Sequence, residues 1–129
     1  MNKRPVPTTL HQAKRAKISD GLSVYVNIPA NSNFVGGDLV EIDGFLGFLF
    51  QNVETGPGEV VAKALSIEQA EYETNQINPE DTFAVGTLVH WDSAEKVLTE
   101  EAEGNRLAGK VTSAKDANNV IWFILGPQV

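Results

Sequence analysis

Residues 83–111 read FAVGTLVHWDSAEKVLTEEAEGNRLAGKV, and this stretch decides the fold. It predicts a strand at residues 88–91 shortly after Gly86, then an acidic excursion, then a second strand that starts beside Gly109. Residues 33–43 repeat its opening. Aligning them with residues 82–92 matches Phe, Gly, Leu, Val and Asp at a constant offset of 49.

The two copies differ in length. Gly47 aligns with Gly109 only if the second copy carries 13 additional residues, and the acidic excursion supplies them. A glycine inside a strand pattern is typical of a bulge or of the tight bend of a barrel. The sequence therefore predicts a weak internal duplication with an insertion in its second half.

The rest of the chain also favours short strands. Residues 22–28 alternate apolar and polar side chains, which is the pattern of a strand with one buried face. Asp43-Gly44 is typical of a hairpin turn between strands at 39–42 and 45–53, and a further strand follows at 60–65. About eight strands separated by Gly, Pro and Asn turns predict an all-β fold, a single small barrel-like or sandwich-like domain.

Two segments leave the choice between helix and strand open. Residues 66–77 have capping-box spacing at Ser66 and Gln69, and they also fit a polar edge strand. Residues 93–103 place apolar side chains at helical spacing, while the neighbouring strands favour a hairpin. The all-β expectation therefore allows one or two short helical turns.

The last predicted strand is an unbroken apolar run. An open edge on such a run is an aggregation hazard. We therefore expect it to be a central core strand or to be buried by a partner subunit. Its residues are Val120, Ile121, Trp122, Phe123, Ile124 and Leu125.

Charge divides the chain into two parts. The formal net charge is −7, yet residues 1–20 carry +4 and the remaining residues carry −11. The absence of cysteine excludes disulfides and thiolate metal sites, so packing alone must hold the fold. We expect an extended basic arm at residues 1–19 and one β domain at residues 20–129, without a signal peptide or a membrane span.

No motif predicts chemistry. Residues 104–110 satisfy G-x-x-x-x-G-K, but Val111 stands where a P-loop needs Ser or Thr, and a turn follows instead of a helix. His90 and Asp92 flank Trp91 without a nucleophile in a recognisable context. The acidic body also repels a nucleic-acid backbone. We therefore expect a protein that is not an enzyme and has no catalytic, cofactor or metal site.

Three segments of the second half carry a resemblance to a family of small tailed-phage proteins. They are VGTLVHWD at 85–92, KVLT at 96–99 and GNRLAGKV at 104–111, which are similar to the family's G-D-x-V-Y-W-D, G-K-V-T and G-N-x-L-I-G-V-A. Residues 20–24 and 37–40 resemble its opening strands. Members were long known as a domain of unknown function, sometimes labelled RecA/RadA-type recombinases, and are now mostly interpreted as capsid decoration proteins.

The resemblance implies a β-barrel-like module on the exterior of a phage capsid, often a homotrimer, with the major capsid protein as its partner. Thr87 and Lys110 depart from the family pattern. From charge alone, we expect the arm to contact neighbouring capsid subunits. Two alternatives stay open, a nucleic-acid-associated phage factor and another structural module of the head or tail. The expected arm contacts are Lys3, Arg4, Lys14, Arg15 and Lys17.

Overall fold

The computed structural model describes residues 18–129, which form strands joined by turns and contain no helix. The all-β prediction is confirmed, and both ambiguous segments resolve as strands. The eleven strands are β1 Ser23–Ile28, β2 Asn33–Phe34, β3 Asp38–Ile42, β4 Phe45–Leu49, β5 Val53–Glu54, β6 Val61–Ser66, β7 Glu71–Thr74, β8 Leu88–Asp92, β9 Val97–Thr99, β10 Arg106–Ser113 and β11 Ile121–Leu125.

The strands form three antiparallel sheets. The first sheet has the order β1-β6-β4-β3, the second has the order β7-β11-β10-β8-β9, and β2 pairs with β5 in a short ribbon. No sheet among residues 18–129 closes on itself, so the barrel alternative is wrong and the sandwich-like alternative fits. The first sheet curls enough for the Asn27 amide on β1 to donate to the Asp43 carboxylate beside β3, at 2.9 Å. That contact is a side-chain link and not a closing ladder.

The first sheet lies between two hydrophobic cores. Leu39, Leu46 and Phe48 belong to the core shared with the second sheet. Val40 and Leu49, which follow them in the sequence, belong to the core on the other face. Successive side chains of a strand point to opposite faces. Two-sided burial therefore explains why this part of the sequence is a continuous apolar run.

The strand register reproduces the internal duplication. Val40 pairs with Gly47 in the first sheet, and Val89 pairs with Gly109 in the second, so both offsets of the alignment recur as backbone neighbours. Gly37 N–H donates to the Leu49 carbonyl at 2.6 Å, and the equivalent Gly86 N–H donates to the Val111 carbonyl at 2.9 Å. The additional residues of the second copy form β9 and the loop after it. A sequence match of five residues therefore corresponds to a repeated strand arrangement.

Gly47 on β4 and Gly109 on β10 each allow a neighbouring strand of the same sheet to approach closely. A Cβ atom on Gly47 would run into the carbonyl oxygen of Ser66 on β6. A Cβ atom on Gly109 would run into the carbonyl oxygen of Ile124 on β11. These contacts are the physical reason why glycine interrupts both apolar strands. At Gly109 the register between β10 and β8 also shifts, which fits the bulge that the sequence allowed there.

Two glutamine side chains join the sheets. The Gln76 amide accepts from Leu39 N–H at 3.1 Å and donates to the Leu39 carbonyl at 2.7 Å. The Gln128 amide makes the same pair of bonds to Leu46, both at 2.9 Å. Gln76 follows β7 and Gln128 follows β11, while their partners lie on β3 and β4. Each glutamine side chain thus makes the pair of hydrogen bonds that a peptide group of an additional strand would make.

We predict that Gly109→Ala destabilises the fold by about 1–3 kcal/mol, because the new methyl group displaces the β11 backbone. Denaturant unfolding measures the change. Gly56→Ala is the matched control, since the nearest atom to its added Cβ is a glutamate side-chain oxygen at 3.9 Å. Equal stabilities of the two variants would contradict the close-approach argument.

We predict that Gln128→Ala lowers the free energy of unfolding by about 1–3 kcal/mol, because the N–H and carbonyl of buried Leu46 lose their partners. Gln69→Ala, at an exposed position, serves as the control. Denaturation midpoints measured by circular dichroism compare the two. A midpoint for Gln128→Ala as high as that of the control would show that Gln128 does not join the sheets.

Candidate functional site

The closing apolar strand lies inside the second sheet. Strand β11 pairs with β7 on one side and with β10 on the other, so both of its edges are hydrogen-bonded within the chain. Ile121, Phe123 and Leu125 are buried in the core between the sheets. Trp122 and Ile124 alternate with them and therefore lie on the opposite face. Half of this run is core, and the other half contributes to an outward surface.

We call that outward surface the outer face and define it by Leu88, Leu107, Lys110, Trp122 and Ile124. Leu88 is 48% exposed, Leu107 44% and Trp122 38%. Lys110 pairs across the strands with both Leu88 and Ile124, which places the three side chains in one row. The outer face is therefore a row of apolar side chains with one cation among them.

Acidic side chains border the outer face along β7. Glu71 pairs with Ile124 and Glu73 pairs with Trp122, so both carboxylates extend the rows of the outer face to its edge. Glu71 also accepts a hydrogen bond from the Thr112 hydroxyl on β10. The surface thus passes from apolar to acidic over the width of one strand.

His90 and Asp92, the two side chains considered for catalysis from the sequence, both lie on β8. The Asp92 carboxylate accepts from the Ala94 and Glu95 amides, each at 3.0 Å, and so closes the turn between β8 and β9. His90 lies on β8, and its Nδ1 is buried without a hydrogen-bond partner among residues 18–129. The described part of the chain contains no group of three or more metal-ligating side chains. The Asp92 carboxylate is therefore engaged by the turn that follows its own strand.

The residues of the P-loop-like motif form a turn and a strand. Gly104 has a φ of +78°, and β10 begins two residues later at Arg106. The Arg106 guanidinium donates to the Glu41 carboxylate and to the Gly44 carbonyl, each at 2.9 Å. A phosphate cradle needs the loop to lead into a helix N-terminus. Here β10 follows instead, and Arg106 links the two sheets.

Carboxylates in the acidic excursion and next to it fix the surrounding loops by accepting hydrogen bonds. The Glu100 carboxylate accepts from the amide of buried Phe83 at 2.7 Å, where the Phe83 φ is +54°. The Asp81 carboxylate accepts from the Thr99 hydroxyl at 3.0 Å and from the Glu100 amide at 2.9 Å. Lys115 donates to the main-chain carbonyl of Asp81 at 2.7 Å. Sequence analysis missed these roles because a run of glutamates usually indicates only a solvated face.

An aromatic stack lies where the two sheets meet. Tyr72 stacks on Phe48 with ring centroids 4.4 Å apart, and Phe50, 63% exposed, lies beyond them. Desolvation by burial raises the pKa of Tyr72, the hydrogen bond with Ser66 opposes that shift, and the charge of Glu68 adds to it. The neutral hydroxyl bridges Ser66 and the Glu68 carbonyl. The stack is therefore a packed structural element that leaves one ring exposed.

A cleft of about 400 Å³ opens beside β3, between this strand and the turn that joins β8 to β9. We call it the edge cleft. Leu39, Glu41, Trp91, Ser93 and Lys96 are among the residues that line it. Trp91 is only 3% exposed, and its indole Nε1 has no hydrogen-bond partner among residues 18–129. The edge cleft thus combines a strand edge, a donor without an acceptor and a lysine.

The positions expected to contact a capsid lie outside the described residues. These are Lys3, Arg4, Lys14, Arg15 and Lys17. Within residues 18–129, no helix is long and apolar enough to cross a membrane.

A family model described as phage cement protein matches residues 18–126. The chain belongs to the phage cement protein family. This match confirms the resemblance drawn from residues 85–92 and 104–111 and covers both sheets. No curated protein and no solved structure matches the chain. The cement protein is thus identified as a phage structural protein that stabilises a capsid.

Proposed function

We propose that this cement protein binds the outer surface of a tailed-phage capsid, with the major capsid protein as its partner, and stabilises the shell without catalysing a reaction. The observation that carries the proposal is the family match over residues 18–126. Two hydrophobic cores on either side of the first sheet support it.

The charge distribution supports an exterior position. Residues 18–129 contain 17 acidic and 5 basic side chains, whereas residues 1–17 contain 5 basic side chains and no acidic ones. An anionic body is well solvated, and a cationic arm is attracted to acidic surfaces. In this proposal the arm lies across neighbouring capsid subunits, so one molecule connects two of them. Such a second contact gains from a high effective concentration even when it is weak.

The same proposal includes association of the copies as a homotrimer on the capsid. Trp122 and Ile124 are the residues of the closing apolar run that lie on the outer face, and they remain accessible to a neighbouring copy. A partly exposed tryptophan is a residue type enriched at protein interfaces. Burial of this indole between copies would complete the solvent protection of the run.

We predict that the purified protein co-sediments with undecorated, expanded capsids, and that deletion of residues 1–17 weakens this binding while the β circular dichroism signal is retained. Binding of the complete chain should fall as salt is raised from 50 to 500 mM, because salt screens the cations of the arm. Failure of the complete chain to co-sediment at low salt would overturn the proposed function.

A charge-neutral arm of unchanged length is the matched control for the deletion. Changing the five cations to glutamine should weaken binding about as much as deletion does if charge makes the contact. The substitutions are Lys3→Gln, Arg4→Gln, Lys14→Gln, Arg15→Gln and Lys17→Gln. Undiminished binding of both variants would leave the body as the binding element and remove the arm from the proposal.

We predict that Trp122→Thr reduces association between copies on the capsid and leaves the fold intact, because the indole is already 38% exposed. Cryo-electron microscopy of decorated shells measures whether the copies remain grouped. Val60→Thr, at a position 60% exposed and outside the strands, is the control. Unchanged grouping with Trp122→Thr would exclude the outer face as the contact between copies.

A further inference from the structure

The outer edge of β3 is only partly capped. Strand β3 pairs with β4 on one side, and on the other side the Gln76 amide takes both main-chain groups of Leu39. Main-chain groups of an antiparallel strand alternate between its two edges. The N–H and carbonyl of Glu41, two residues further on, therefore also face away from β4. No side chain among residues 18–129 binds the main chain of Glu41 in the way that Gln76 binds that of Leu39. The N–H and carbonyl of Glu41 are therefore free to pair with an added strand.

Trp91 provides a second, independent indication of a ligand. Buried tryptophan N–H groups usually have a hydrogen-bond partner. Trp91 is 97% buried beside the free ladder position of Glu41, yet its Nε1 has no partner among residues 18–129. A polypeptide that added to β3 would bring carbonyl oxygens into the edge cleft. The cleft therefore has the hydrogen-bonding pattern of a strand edge, and a tryptophan whose Nε1 has no partner among residues 18–129 is one of the residues that line it.

We propose that the edge cleft binds an extended segment of the arm of a neighbouring copy, through residues 8–12. This inference rests on the proposed function, because it names the partner that the arm reaches when copies occupy neighbouring capsid subunits. Residues 8–12 read TTLHQ and contain no proline, whereas Pro5 and Pro7 lack the N–H that a ladder needs. Two β-branched threonines favour an extended conformation.

Charge complementarity selects the arm as the occupant. Cations flank residues 8–12 on both sides, at Lys3 and Arg4 before them and at Lys14, Arg15 and Lys17 after them. The receiving body carries 17 acidic and 5 basic side chains in residues 18–129. The cleft wall itself is mixed, because Lys96 lines it beside Asp38 and because Glu41 is paired with Arg106, so the attraction is to the body as a whole. Cations that do not face this body remain available to the capsid.

The length of the arm permits a contact with a neighbouring copy. The 17 residues that precede Ile18 span about 56 Å when extended at roughly 3.3 Å per residue, which is ample for contact between adjacent copies. The arm leads into β1, and β1 is the edge of the first sheet opposite to β3. An arm that leaves at one edge and docks at the other edge of the next copy makes a head-to-tail contact, which closes into a ring when the rotation permits.

Photo-crosslinking of the complete chain tests the proposal. The chain has no cysteine, so a Gln12→Cys variant carries one benzophenone–maleimide label at the end of the docking segment. The labelled protein is mixed with ¹⁵N-labelled wild type, irradiated free and on capsids, and digested for mass spectrometry. We expect crosslinks to isotopically heavy peptides from residues 38–41 and 91–96. Crosslinks confined to light peptides would place the arm on its own body and overturn the proposal, as would crosslinks to capsid protein alone.

Two substitutions test the backbone pairing. Glu41→Pro removes the free N–H and should lower the crosslink yield about tenfold, the effect of losing one or two hydrogen bonds. Glu41→Ala loses the carboxylate and its ion pair with Arg106 but keeps the N–H, so its yield should stay well above that of Glu41→Pro. Leu10→Pro should reproduce the loss from the arm side, without touching residues 18–129. Wild-type yields from both proline variants would overturn the pairing.

Co-sedimentation of the same samples separates this inference from the proposed function. Capsid binding without crosslinks to the edge cleft would refute the arm contact and leave the cement function standing. Crosslinks to the edge cleft in solution, together with no binding to capsids, would support the contact and refute the function.

Discussion

The fold depends on two places where a strand backbone lies directly against a carbonyl of the next strand. At Gly47 the neighbour is Ser66, and at Gly109 it is Ile124. Neither contact leaves room for a side chain. Strand β6 can therefore approach β4, and β11 can approach β10, only because β4 and β10 carry glycine at these positions. A side chain at either glycine would push two neighbouring strands of the same sheet apart.

We call β3-β4-β6 the first unit and β8-β10-β11 the second unit. This repeated arrangement also explains how a chain without disulfides forms two cores. The first unit is buried on both faces, since Leu46 and Leu49 face different cores. The second unit is buried on one face, and its other face carries Trp122 and Lys110. Duplication supplied two similar sheets, and the difference in burial between them gives the molecule an inside and an outside. The outer face therefore belongs to the sheet that no other layer of residues 18–129 covers.

Sequence reasoning reached the parts of the fold that local patterns specify. The period-2 alternation identified β1, and the Asp43-Gly44 turn placed the hairpin of β3 and β4. The family resemblance was carried by residues 85–92 and 104–111, which the structure places on neighbouring strands β8 and β10. Each of these signals lies within about ten residues of sequence, where propensity and turn chemistry act directly.

The remainder required tertiary structure. The segments around β7 and β9 have helical propensity, but pairing with β11 and β8 makes them strands, which is a tertiary override of local preference. Gln76 and Gln128 look like ordinary surface residues in the sequence, because their partners lie 37 and 82 residues away. The edge cleft could not be predicted from the sequence either, because Glu41 and Trp91 come together only through the packing of the two sheets.

The acidic character of the body has a local origin as well as a possible role toward partners. Asp38, Asp81, Asp92 and Glu100 each accept hydrogen bonds from main-chain amides in turns or loops. A carboxylate is a strong acceptor for such amides, so a fold made of short strands and many turns accumulates negative charge as it fixes its loops. The five cations of residues 1–17 are joined to such a body, so the two parts of the chain carry opposite charge. This difference in charge is in part a consequence of how the loops of the body are held.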